Sequence, residues 1–154
     1  MKDRIKQLLH HPLFSNRWFL MGLWFAIALA GMLKYKRSFN NFLIFRGVYW
    51  HTVNGTSLYT AYPAEYSDVN HYGPVFSLVI TPFALLPLWA GMLLWLLFLT
   101  AWLYLAIVRS GLREKQKIFI LWFCGITLPT ALFMQQFNIA VAAMILSSFF
   151  LIEK

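Results

Sequence analysis

The chain is poor in charged residues. Only 12% of its 154 residues are charged and just five are Asp or Glu, whereas 60% are hydrophobic. The mean hydropathy is +0.64, well above the range of soluble domains. A chain of this length has too little polar surface to enclose so much apolar material. The composition therefore excludes an ordinary soluble domain and predicts an integral membrane protein.

Several motifs and residue types are also missing. A single cysteine, Cys124, excludes an intrachain disulfide. The sequence has no phosphate-binding glycine loop, nucleophile elbow or CxxC pair. Because His51 and His71 with Asp68 do not match a standard ligand spacing, we expect no protein-bound metal and no cofactor. No predicted span has a charge in its interior, since Lys34 only ends the first one, and this argues against ion-coupled transport.

The net charge of +8 is carried mainly by residues that flank apolar segments. This distribution is typical of membrane topology. It comes with no basic face or recognition motif, so nucleic-acid binding is not expected.

Uncharged runs define the predicted membrane segments. Together they predict one membrane domain over residues 1–154, an all-α polytopic membrane helix bundle with about four membrane segments. Pro82 and Pro87 divide the run 75–108, and the polar stretch MQQFN at 134–138 divides the last run. The segments are 18–34, a short or re-entrant segment at 75–87, then 88–108, 118–134 and 139–152.

Residues 35–74 form a long, tyrosine-rich first loop that we expect on the extracytoplasmic face. A helix over 42–53 is predicted to lie on the membrane, and NGT at 54–56 to end it as a turn. The positive-inside tendency places the N-terminus and loop 109–117 in the cytoplasm. If the segment 75–87 crosses the membrane instead of dipping into it, loop 109–117 lies outside. Residues 1–17 predict a short interfacial helix that Pro12 breaks.

Polar groups that can carry chemistry are few. Glu65 and Asp68 are the only carboxylates in the long loop, so elimination leaves them as candidates for a general base or cation ligand. The alternative is a solvated acid that pairs with Arg46 or a loop lysine. The amides in MQQFN need partners at membrane depth, either between helices or along a polar cavity.

Four motifs follow one another along the chain: Gly55 to Tyr59, Tyr72-Gly73-Pro74, PFALLP at 82–87, and Gln-Gln-x-Asn at 135–138. With this ordered set, residues 38–154 resemble GT-C-type membrane glycosyltransferases, specifically glycosyltransferase family 87 (domain of unknown function 2029).

The resemblance implies a multi-pass enzyme of the bacterial inner or plasma membrane, in contact with membrane lipid. Such an enzyme transfers a sugar, usually mannose or a related hexose or pentose, from a polyprenyl-phosphate donor to a lipid-linked or cell-envelope glycan. A carboxylate of the first outer loop serves as base. The implied site residues are Asp68 and Glu65 as catalytic candidates, with Arg46, His71, Tyr72, Gln135, Gln136 and Asn138 binding substrate.

Two departures from the family pattern affect these expectations. Relatives commonly have Asp-Phe or Asp-Tyr where this chain has Asn40, Asn41 and Phe42, and an amide cannot accept the proton. The base is therefore expected to be Asp68, which lies closer to Pro74, or Glu65. Relatives are also about twice as long or longer, so we expect the chain to be the N-terminal part of a GT-C fold. The alternative is a non-catalytic membrane protein, such as a scaffold, subunit or remnant.

Overall fold

The structure is a computed structural model that describes residues 11–33 and 39–152. A short 3-10 helix (Pro12–Ser15) precedes six α-helices. These are α1 (Arg17–Gly31), α2 (Asn40–Val53), α3 (Val75–Ala84), α4 (Leu88–Val108), α5 (Glu114–Phe133) and α6 (Asn138–Ile152). The described ranges contain no strand, which confirms the all-α class for them. Parts of three predictions lie outside the described residues: the interfacial helix over 1–10, the end of segment 18–34, and loop positions 35–38.

Two of the helices, α4 and α5, are long and apolar enough to cross a membrane. At about 1.5 Å per residue, the 21 residues of α4 extend roughly 32 Å, close to the thickness of a bilayer core. Three shorter helices, α1, α3 and α6, are also apolar. The ten residues of α3 extend only about 15 Å, so the segment at 75–87 is as short as predicted. Whether it dips or crosses stays a prediction.

The centre of the bundle is α4, which contacts α1, α3, α5 and α6. Buried side chains line most of its length, including the fully buried Trp95 and Leu99. Gly91 allows the closest approach, because a Cβ atom there would lie only 2.2 Å from the carbonyl oxygen of Phe83. The backbones of α3 and α4 therefore meet at a position where no side chain fits.

The first helix joins the bundle through α4 and α5. Trp24 is fully buried, and its ring meets Tyr104 edge-on at 5.9 Å. The Tyr104 hydroxyl donates to the Arg17 carbonyl at 2.7 Å. These contacts tie the start of α1 to the far end of α4.

Two helices end in the same hydrogen-bonded turn. At the end of α2, Gly55 has a positive φ of 65°, and the Thr56 N–H donates to the His51 carbonyl at 2.9 Å. The predicted helix 42–53 and its NGT turn are confirmed, with the helix starting two residues earlier, at Asn40. At the end of α5, Gln135 has a positive φ of 48°, and the Gln136 N–H donates to the Ala131 carbonyl at 2.9 Å. The predicted break at MQQFN is confirmed as well.

Candidate functional site

A cavity of about 230 Å³ brings together much of the predicted site, and we call it the Asp68 cleft. It lies between the start of α2, the loop before α3 and the turn between α5 and α6. Its lining consists of Asn41, Ile44, Phe45, Asp68, Val69, His71, Tyr72, Gln136, Phe137 and Asn138.

Two asparagines at the start of α2 hold the walls of this cleft. Asn41 donates through Nδ2 to the Met134 carbonyl at 2.7 Å, across 93 residues of chain. Asn40 accepts the Ser67 N–H through Oδ1 at 2.8 Å. The first turn of α2 is therefore tied both to the loop that carries Asp68 and to the α5–α6 turn.

An aromatic cluster forms the floor of the Asp68 cleft. Phe45 meets Tyr72 and Phe76 edge-on, with ring centroids 5.1 and 5.2 Å apart. Phe137 approaches Phe76 at 5.0 Å and stacks on Trp95 at 6.1 Å. Burial raises the pKa of Tyr72 above its usual value. The floor of the cleft is thus made of packed aromatic rings, and the polar side chains lie at its rim.

Asn70 organises the loop at the rim. This side chain is almost fully buried, donating to the carbonyls of Leu58 at 3.2 Å and Tyr72 at 2.8 Å. It also accepts the Tyr72 N–H at 2.9 Å. Asp68 and His71 on either side of Asn70 are exposed. The Asp68 Oδ1 atom accepts the N–H of Val69 at 2.8 Å. One buried amide thereby fixes the backbone that presents both groups.

A second cavity of about 300 Å³, the Arg46 cleft, is lined by Leu43, Arg46, Gly47, Trp50, Glu65 and Tyr66. Arg46 donates to the carbonyls of Ala84 at 3.0 Å and Leu86 at 3.4 Å. A cation is favourable at the Ala84 carbonyl, the last of α3, because the C-terminal carbonyls carry the negative end of the helix dipole. Arg46 therefore also joins α2 to the end of α3.

Glu65 of this cleft pairs with His51. Its Oε2 atom lies 3.2 Å from the Nε2 atom of His51, whose Nδ1 atom lies 2.8 Å from the Thr56 hydroxyl. The ring of His51 is buried and stacks on Tyr62 at 3.8 Å. Among the described residues the partner of Glu65 is thus a histidine, and not the Arg46 considered from the sequence. The lysine of the loop, Lys36, lies outside the described residues.

Tyr66 forms the inner wall of the Arg46 cleft. Only 4% of the residue is exposed, and its ring packs against Gly47, where a Cβ atom would lie 2.7 Å from Cε1. Burial raises the pKa of Tyr66, and the nearby Glu65 and Tyr62 raise it further. The hydroxyl therefore stays protonated, and able to donate, at neutral pH.

The structure divides the predicted site residues between the two clefts and one position outside both. Arg46 and Glu65 line the Arg46 cleft. Gln135 is buried, donates to the Phe133 carbonyl and lines neither cleft. The remaining five line the Asp68 cleft: Asp68, His71, Tyr72, Gln136 and Asn138. Their functional roles stay predictions.

Sequence reasoning did not select four residues that shape the clefts: Asn41, Trp50, Tyr66 and Asn70. Asn70 stands inside the polar stretch SDVNHYGP, so its position was a usable signal. Asn41 belongs to the pair of asparagines that depart from the family pattern, so it was marked as well. Nothing local marks Trp50 and Tyr66, because their contacts depend on other parts of the chain. Among the residues that the structure describes, no three His, Cys, Asp or Glu side chains come together to hold a metal.

Comparison with known proteins indicates the protein family of the chain. No curated protein and no solved structure matches the chain. The profile of glycosyltransferase family 87 matches residues 70–154, more than half of the sequence. The match includes α3 to α6 and three residues of the Asp68 cleft rim: His71, Gln136 and Asn138. The chain therefore belongs to glycosyltransferase family 87.

Proposed function

We propose that the Asp68 cleft is a sugar-transfer site, with Asp68 as the general base. The donor is a sugar linked to polyprenyl phosphate, and the acceptor is a cell-envelope or lipid-linked glycan. Family membership supports transfer of a glycosyl group. The observation that carries the proposal is the cleft itself, where one carboxylate stands among amides and a histidine above an aromatic floor.

In the proposed reaction the acceptor hydroxyl oxygen forms a bond to the anomeric carbon of the donor sugar. The bond from that carbon to the phosphate oxygen breaks, and polyprenyl phosphate leaves. The hydroxyl proton passes to the Asp68 carboxylate. Gln136, Asn138 and His71 offer hydrogen bonds to sugar hydroxyls, and the ring of Tyr72 offers an apolar face.

The two loop carboxylates differ in their availability for this role. Both are exposed, but Asp68 lies in the cleft that contains the amides. Glu65 lies in the other cleft, where His51 engages one of its oxygens at 3.2 Å. A base must reach the proton that it removes. This geometry favours Asp68 over Glu65.

The decisive experiment compares Asp68→Asn with Glu65→Gln in transfer of labelled sugar from polyprenyl phosphate in membranes. Asp68→Asn preserves shape and should lower turnover by about 10²–10⁴-fold, the usual contribution of a positioned base. Glu65→Gln should lower it far less. Near-normal turnover in Asp68→Asn, at equal protein yield, would remove Asp68 as the base.

The proposal also requires the Asp68 cleft to face the extracytoplasmic side, with the N-terminus and loop 109–117 in the cytoplasm. Ser57 and Gln116 are both exposed. Ser57 lies in the loop after α2, and Gln116 lies in the first turn of α5, within the predicted loop 109–117. With Cys124 replaced, a single cysteine at position 57 should react with an impermeant reagent in intact cells, and one at 116 should not. The reverse pattern would overturn this topology.

A further inference from the structure

We propose that the Arg46 cleft is a second carbohydrate site, which binds an uncharged stretch of glycan. Its lining combines an exposed tryptophan, a buried tyrosine hydroxyl, a guanidinium and a carboxylate within about 300 Å³. The proposal concerns binding alone. The statement that the bound glycan is the acceptor rests on the proposed function. The existence of the binding site does not rest on it.

Two buried donors of this cleft have no hydrogen-bond partner among the described residues. They are the Tyr66 hydroxyl and the Nε atom of Arg46, and both atoms are buried. Buried polar groups in proteins are normally paired, so each such group calls for an explanation. Both residues line the cleft, so a side-chain adjustment on binding would bring the two donors to ligand hydroxyl oxygens.

Trp50 gives the same cleft an apolar platform. Trp50 is 42% exposed, and it belongs to α2, the helix that contributes most of the cleft lining. An aromatic ring with a few placed polar groups is a common composition for small-ligand sites. The C–H faces of a pyranose ring suit such a platform, and its hydroxyls suit the surrounding donors and acceptors.

Charge favours a neutral ligand over a phosphate. Arg46 already directs its Nη2 atom to the carbonyls of Ala84 and Leu86, at 3.0 and 3.4 Å. Glu65 brings a carboxylate to the same cleft, and a carboxylate repels an anion. A sugar hydroxyl donates to a carboxylate and accepts from a guanidinium or tyrosine, so one neutral ligand satisfies all three groups.

The Arg46 cleft lies on the opposite face of α2 from the Asp68 cleft. At 100° per residue, the α2 positions 41, 44 and 45 share one face, and 43, 46, 47 and 50 share the opposite one. A helix with its side chains is about 10–12 Å across. A single sugar ring cannot occupy both clefts, so the Arg46 cleft takes a different unit of an extended glycan, or a separate glycan.

Binding is measured on the purified protein in lipid nanodiscs, with a glycan array of uncharged hexose and pentose oligosaccharides as the probe. The strongest binder is then titrated. Trp50→Ala should weaken its binding by about 10-fold or more, as expected for an aromatic anchor. Tyr66→Phe should weaken it by about 2–10-fold, the range for one neutral hydrogen bond. Within residues 11–33 and 39–152 the Tyr66 hydroxyl has no hydrogen-bond partner, so this variant should fold like the wild type.

Trp89→Ala and Tyr59→Phe are the matched controls. Both residues are exposed and line neither cleft, so glycan binding should stay unchanged. Asp68→Asn should keep glycan binding while losing transfer, which separates this proposal from the proposed function. Three results would each overturn the second site: no array member bound above background, wild-type binding in both Trp50→Ala and Tyr66→Phe, or displacement of the glycan by inorganic phosphate.

Discussion

The two clefts on either side of α2 are built in different ways. The Asp68 cleft joins segments far apart in sequence, since its amides come from the α5–α6 turn and its carboxylate from the loop before α3. The Arg46 cleft uses α2 and residues shortly after it, and protein hydrogen bonds already hold both of its charged groups. The first cleft therefore depends on the packing of the whole bundle, and the second depends mainly on local structure.

The largest expected effect comes from a substitution in the helix packing that supports both clefts. Gly91→Ala should destabilise the protein by about 3 kcal/mol, at the upper end of typical overpacking costs, because its Cβ atom would meet backbone that cannot move aside. Thermal unfolding in detergent measures the loss, and both sugar transfer and glycan binding should fall with it.

Gly22→Ala is the matched control for Gly91→Ala. Gly22 also lies inside a helix, but a Cβ atom there would have no neighbour within 4 Å, so alanine should raise stability by up to about 1 kcal/mol. Equal midpoints for the two variants would contradict the close α3–α4 approach.

Gly47→Ala should damage the Arg46 cleft selectively. Its Cβ atom would lie 2.7 Å from the Tyr66 ring, which must shift, at a cost of about 2 kcal/mol. Glycan binding should fall, while transfer per folded molecule of a short acceptor that reaches only the Asp68 cleft should remain. Loss of both activities per folded molecule would show that the clefts are not independent.

Asn41→Asp should damage the Asp68 cleft selectively. A carboxylate cannot donate to the Met134 carbonyl, so the loss should be about 1–2 kcal/mol. Asn40→Asp is the control, since Asn40 uses its oxygen to accept the Ser67 N–H and a carboxylate can do the same. The Asp expected here from the family pattern should thus be tolerated at position 40 and not at position 41. Similar unfolding midpoints for the two variants would disprove this assignment.

The smallest expected effects on stability concern two amides of MQQFN, Gln135 and Asn138. Gln135→Gly should change stability by less than about 1 kcal/mol. Glycine adopts the positive φ of 48° without steric cost, but the variant also loses a buried side chain and its hydrogen bond to the Phe133 carbonyl. Asn138→Leu should leave stability nearly unchanged and lower transfer, since Asn138 is exposed at the cleft rim. Equal losses of yield and transfer in Asn138→Leu would assign that amide to packing.

The fold was most predictable where charge and proline mark the ends of a segment. The segment 88–108 was predicted with the bounds that α4 has, because Pro87 precedes it and Arg109 follows it. The segment predicted from 118 begins at Glu114 instead. Its first turn is polar, and Gln116 caps it by accepting the Arg113 N–H at 3.0 Å. Hydropathy finds the apolar part of a helix and misses a polar turn that capping stabilises.

The candidate site was predictable in its segments and not in its pairings. The stretches SDVNHYGP and MQQFN were both selected for their polar groups, and the structure brings them to one cleft. The contact of His51 with Glu65 and that of Asn41 with Met134 were not foreseen. Such pairings depend on how loops and helices pack in three dimensions, and a local pattern carries no information about them.

Helix α2 is fastened at its first turn and near its middle. Asn40 and Asn41 bind the loop and the α5–α6 turn, and Arg46 binds the end of α3. A helix held in this way serves as a fixed wall between two compartments. A ligand that fills one cleft therefore leaves the width of its neighbour unchanged, and each cleft can be altered by mutation without the other.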